Sequence, residues 1–172
     1  IVGKDTNFEA AASLIRRQEE LLQFDSFTNA DAWELGRLMV EEIKARGIEL
    51  AVCIRKVNGN IVFQYATDGT NLNNQRWMMR KYHTVAYMET SSLLATVMSH
   101  ITGEKIATHG LSDTEYVLCG GGFPIKIKGS GMTMVVTVSN LPHEKDHGFI
   151  VDCLAKYLNV EAPALTEEIP IP

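Results

Sequence analysis

Apolar side chains recur along the chain with two different periods, and the switches between them mark out its elements. Ala11, Leu14, Ile15, Gln18, Leu21 and Leu22 fall at helical spacing and predict a first helix over residues 9–22. "FDSFTNAD" interrupts that pattern. Thr28 then offers an N-cap with Asp31 placed to complete a capping box, and Gly47 offers a C-terminal stop. Between these caps Ala32, Leu35, Gly36, Met39, Val40 and Ile43 make one apolar stripe, which predicts a second helix.

The period then changes to two. Asn58-Gly59 reads as a two-residue hairpin turn with positive φ at both positions. Centring the hairpin there pairs Ile54 with Phe63 and Val52 with Tyr65 on one face, and Cys53 with Gln64 and Arg55 with Val62 on the other. Helical spacing returns in Trp77, Met78, Tyr82, Val85 and Met88, and a continuation from Thr90 or Ser91 carries Leu93, Leu94, Val97, Met98 and Ile101. "SDTE" at 112–115 has capping-box spacing and predicts a short helix. A second hairpin turns at Gly129-Ser130-Gly131, pairing Ile127 with Met132, Ile125 with Met134 and Phe123 with Val136, while Lys126 and Thr133 take the other face. After Pro142 a last helix places Ile150, Cys153, Leu154, Tyr157 and Leu158 on one side.

Helices flanking two hairpins predict an α+β domain, a three-layer α/β/α sandwich around an antiparallel sheet. We place a single domain at 1–160 and a tail at 161–172, where "EAPALTEEIPIP" reads as frayed or laid on a neighbour. At 172 residues, 45% hydrophobic and 22% charged, the chain suits one soluble globular domain. A net charge of −5 argues against a nucleic-acid partner. No apolar run reaches membrane-span length and no secretory signal opens the chain, so no membrane insertion is expected. Three cysteines, odd in number and widely spaced, fit a reducing, cytoplasmic setting. Methionine and aromatic residues on the helix at Trp77, Met78, Tyr82 and Met88 suggest a contact surface and a homo-oligomer.

Three stretches carry candidate chemistry. Gly120-Gly121-Gly122 precedes a strand, whereas nucleotide-binding glycines lie between strand and helix; close approach of a ligand or another backbone to the strand is the better reading. "HEKDH" at 143–147 matches a zinc-hydrolase pattern with His143 and His147 as ligands and Glu144 as base, but no third ligand stands at suitable spacing and no bound metal is expected. Glu144 and Asp146 also suit a helix N-terminus, and Asp146 with His147 borders the apolar stripe, where the pair would orient an imidazole or hold an anion or metal. Lys81 lies inside an apolar helix face with Arg80 beside it; a snorkelling stem is one reading, a cationic pair framing a polar pocket the other.

Together "QEELLQFDSFTNADAWELG", "MMRKYHTV", "GGGFPIKIKGSG" and "VTVSNLPHEKDH" resemble the small bacterial and fungal proteins placed with the haem-degrading-domain superfamily, the GlcG/HbpS-like proteins, over about residues 14–158. The resemblance implies a profilin-like sandwich assembled as a symmetric oligomer, with haem as a cofactor of some relatives. Arg80, Lys81, Gly121, Gly122, Phe123, Pro124, Asp146 and His147 match the recurring motif, whereas Asn140 replaces its usual Gly and His83 its usual Asn. The resulting expectation is one ligand-binding site formed by Arg80, Lys81, Gly121, Gly122, Phe123, Asp146 and His147. It would accept a small anionic ligand, a description that includes the propionates of haem. A zinc hydrolase and a purely structural assembly protein that binds other proteins stand as alternatives.

Overall fold

A computed structural model describes residues 5–172; the opening of the chain at residues 1–4, and with it the start of the expected domain, lies outside the described residues. In chain order the elements are helix α1 (Phe8–Leu21), α2 (Asn29–Arg46), strands β1 (Ala51–Lys56) and β2 (Ile61–Ala66), α3 (Leu72–Met88), α4 (Ser92–Thr102), a 3-10 turn (Ile106–His109), β3 (Gly122–Ile127), β4 (Gly131–Ser139) and α5 (His143–Leu158). The sheet is antiparallel throughout, in the order β2-β1-β4-β3, so the two hairpins join through their inner strands.

Strand alternation sends Val52, Ile54, Phe123, Ile125, Met134, Val136 and Val138 to one face, where they meet Leu35, Met39 and Ile43 of α2 and Ile150, Cys153 and Leu154 of α5. The opposite face packs on α3, with Ala51 and Cys53 against Met78, and Val135 against Tyr82 and Val85. Helices α1 and α4 form their own apolar contact through Ala11, Ala12, Ile15, Leu93, Leu94 and Val97. The fold is therefore the expected α+β sandwich with helices on both faces of the sheet. Thr28 and Asp31 form the expected capping box, and Gly47 ends α2 at φ 63°. The outer edge of β3 is covered near its turn, because Phe24 exchanges backbone hydrogen bonds with Lys126 and Lys128.

Both hairpins depart from the expected register close to their turns. Ile54 faces Phe63, Val52 faces Tyr65 and Cys53 faces Gln64 as expected, but Arg55 pairs with Ile61 rather than Val62. Only Gly59 of the Asn58-Gly59 pair has positive φ, at 96°, and Lys56 N–H donates to Asn60 O. The turn thus takes three residues with glycine in the left-handed position, and the strand absorbs the odd residue as a bulge. In the second hairpin Phe123–Val136 and Ile125–Met134 hold, while Lys126 pairs with Met132 and Ile127 with Gly131. "SDTE" forms a turn, not a helix: the Ser112 hydroxyl bonds the Thr114 hydroxyl and backbone N–H, leaving no box with Glu115. The short helix lies earlier, at Ile106–His109.

The tail is neither frayed nor free. Ile169 is buried, its N–H donates to Glu144 Oε1 at 2.9 Å, and Pro163 O accepts from Gln18 Nε2 at 2.7 Å. Pro170 O meets His100 Nε2 at 2.6 Å. Trp77 and Met88 are half-buried while Met78 and Tyr82 pack inward, so the exposed apolar groups of α3 are instead Leu72, Met79 and Tyr87.

Candidate functional site

The glycine run that opens the second hairpin and the end of β4 meet the N-terminus of α5 at an enclosed polar cluster. Lys81 of α3 and Asp146 of α5 form an ion pair at 3.0 Å, each only 2% exposed. The ammonium also donates to Val138 O at 2.9 Å, and Leu141 N–H donates to Asp146 Oδ1 at 3.0 Å. Burial pushes the Asp146 carboxyl above the usual carboxylate range, while Lys81 and the Leu141 N–H pull it back down. The lysine does not snorkel. It delivers its charge inward because a carboxylate and a backbone carbonyl wait there.

Gly121 shows why this stretch is small. Its φ is 116°, and a Cβ there would stand 2.7 Å from Lys81 Nζ, 2.9 Å from Val138 O and 3.0 Å from Asp146 Cβ. The close approach inferred for the glycines is therefore made by this chain's own Lys81 and α5. Gly122 is equally hemmed in by Val85 and Ser92, whose hydroxyl accepts from Gly122 N–H at 2.9 Å.

Phe123 is buried, with its ring 5.7 Å from that of His147. His147 is fully buried, and burial, helped by nearby His143, holds its pKa down at about 3. Gln18 Nε2 donates to Pro163 O, so its Oε1 faces His147 Nε2 at 2.7 Å as an acceptor. The imidazole therefore carries its proton on Nε2, and Nδ1 is left buried without a partner. Six of the seven expected site residues thus meet in one region, but as a sealed framework. Arg80, next to Lys81 in sequence, faces elsewhere.

The "HEKDH" segment is committed to the tail. Gly120 N–H donates to His143 Nδ1 at 2.9 Å, and His143 Nε2 bonds Ile169 O, so both ring nitrogens are engaged. Glu144 holds Ile169 N–H. No group of three or more His, Cys, Asp or Glu side chains placed to hold a metal ion occurs among the described residues. The three cysteines are free and buried, and burial pushes the Cys153 thiol up to about 12.

An open site lies where Arg80 points. A cavity of about 600 Å³ runs between α3 and the segment 105–118, with Ile106, Leu111, Val117 and Leu118 on its walls and Tyr116 beside them. Arg80 stacks on Trp77 with its guanidinium carbon 4.8 Å from the ring centroid, and its Nε is buried without a partner. Lys105 lines the same cavity, with Asp113 also on its lining. Of these residues the sequence singled out Arg80 and Trp77. In the segment 105–118 only the capping-box spacing at 112–115 drew notice, and nothing marked it as part of a site; it joins α3's neighbourhood only through the fold.

The chain matches the haem-degrading HbpS-like protein family over residues 27–155. It belongs to that family. A UPF0303 protein of Yersinia enterocolitica is 32% identical over 166 residues, covering 96% of this chain and 98% of that protein. One from Rhizobium johnstonii is 37% identical over 146 residues, covering 85% and 90%. Among solved structures, Ybr137w superposes with a TM-score of 0.79 at 24% identity, over 91% of this chain and 90% of that one. PduOC in its haem complex superposes with a TM-score of 0.63 at 19% identity, over 80% and 98%. At these identities the superpositions speak to the fold.

Proposed function

We propose that this protein is an oligomeric, haem-linked binding or accessory protein whose anion-accepting pocket is the cleft between α3 and the segment 105–118. The observation that carries the reading is Arg80: a guanidinium stacked on Trp77, with a buried unpartnered Nε, on the wall of a 600 Å³ apolar cavity. Lys105 adds a second cation. Such a set fits a flat apolar ring system carrying carboxylates, with Arg80 and Lys105 taking the carboxylates and Ile106, Leu111 and Leu118 the ring. Haem bound there would supply its own iron chemistry, and the protein would supply orientation and exclusion of water. The family assignment and the haem complex of PduOC support the choice of haem. Within this reading Lys81, Gly121, Gly122, Phe123, Asp146 and His147 hold the frame on which α3 presents Arg80.

Haem titration followed by absorbance tests the proposal. Wild-type protein should saturate at a fixed stoichiometry, and Arg80→Ala should bind roughly ten- to a hundredfold more weakly, the worth of one hydrogen bond to a charged group. A flat titration, or identical affinities, would overturn it.

The exposed Trp33, Leu72 and Tyr87, together with the uncovered strand β2 at one end of the sheet, support self-association. Light scattering at micromolar concentration should return a mass that is a multiple of 19.1 kDa. A single species of one chain's mass would remove the oligomer from the proposal and leave the cleft reading untouched.

A further inference from the structure

A second, smaller cavity sits on the α3 face of the sheet, away from the segment 105–118, and its chemistry is cationic without any acid to balance it. It holds about 170 Å³, well under the roughly 300–1,000 Å³ of drug-sized pockets, so its occupant has only a handful of heavy atoms. Cys53 and Thr137 come from β1 and β4, Arg55 and Tyr82 stand at its side, and Gln64 and Gln75 join amide to amide at 2.5 Å. No Asp or Glu lines it.

Arg55 is the group that needs an explanation. Its guanidinium carbon lies 5.0 Å above the Tyr82 ring, its Nη1 reaches only the thioether of Met79 at 2.9 Å, and its Nε is buried with no partner. No carboxylate within ion-pair distance serves it among the described residues. Arg55 is half-buried, and a sulfur acceptor and a π face are weak partners for the part of its charge that is shut off from water, which favours a bound anion. The Gln64 and Gln75 amides add neutral donors, while Ile61 and Met78 add apolar wall.

We propose that this cavity is a binding site for a short-chain carboxylate, its carboxyl group held in the fork of Arg55 and its hydrocarbon part against Ile61, Met78 and Tyr82. The site is independent of the cleft at Arg80 and of whether haem binds there.

Butyrate is a suitable probe, with butanamide as its neutral counterpart and phosphate as an anion lacking the apolar part. Calorimetry on the full chain should give saturable butyrate binding at one site per chain, with butanamide about tenfold weaker or worse. Butyrate should also slow alkylation of Cys53, followed by peptide mapping, without slowing that of Cys119. Arg55→Gln should abolish both effects, and the butanamide comparison stands even where that variant folds poorly. Absence of saturable binding, equal binding of butyrate and butanamide, or phosphate binding as tightly as butyrate would each overturn the assignment.

Discussion

Asp146→Ala is expected to cost about 3–5 kcal/mol of folding stability, the usual consequence of leaving one buried charge without its partner. The charge left behind is the Lys81 ammonium, 2% exposed and 3.0 Å from the lost carboxylate, with only Val138 O remaining to it. Lys81→Met should be milder, because the Asp146 carboxyl, already pushed upward by burial, can neutralise itself by taking a proton. The double replacement Lys81→Met/Asp146→Leu should recover much of the loss, since no isolated charge is left to desolvate. Urea unfolding of the three variants measures this. Single variants within about 1 kcal/mol of wild type would show that water reaches the pair and that the cluster is not sealed.

Acid should weaken the fold through His147 before it does so through the carboxylates. In the folded chain this imidazole titrates at about 3, whereas unfolded it returns to the ordinary value of 6.5. Between those values the unfolded chain binds the extra proton, so the neutral-histidine contribution is complete above 6.5 and is lost as pH falls. The slope is at most about 1.4 kcal/mol per pH unit, or roughly 2–3 kcal/mol between pH 6.5 and 4.5. His147→Gln stays neutral and can still donate to Gln18, so its stability should change less over that window by about this amount. Parallel pH profiles of unfolding free energy for the two proteins would refute the assignment.

The hairpins were legible because alternation fixes which side chains share a face. Val52, Ile54, Phe123, Ile125, Met134 and Val136 land where that pattern puts them. The bulges at Arg55 and Lys126 were not, because a glycine turn can close over two residues or three with little change in composition. At the site, Gly121, Phe123, Asp146 and His147 could be grouped from their motifs, yet whether their polar atoms face a ligand or one another depends on partners distant in sequence. Lys81 lies 65 residues from Asp146, and His147 lies 129 from Gln18. A glutamine inside the apolar stripe of α1 was the one local sign that something polar waited beneath it. Arg80 was visible as a cation, but the wall opposite it comes from a loop with no periodicity to read.

The strand order has a kinetic consequence. Each hairpin closes over a few residues and can form on the microsecond scale, but the sheet becomes continuous only when β1 finds β4. That seam, from Ala51–Ser139 to Lys56–Met134, closes a loop of roughly eighty residues containing β2, α3, α4 and β3, and its entropy must be met before the contacts reward it. Substitutions along the seam, such as Val136→Ala, and destabilising changes in either turn, which closes before it, should therefore slow folding more than they speed unfolding. Until the seam closes, the inner edges of both hairpins are exposed together, and the refolding chain is most prone to pair with a copy of itself.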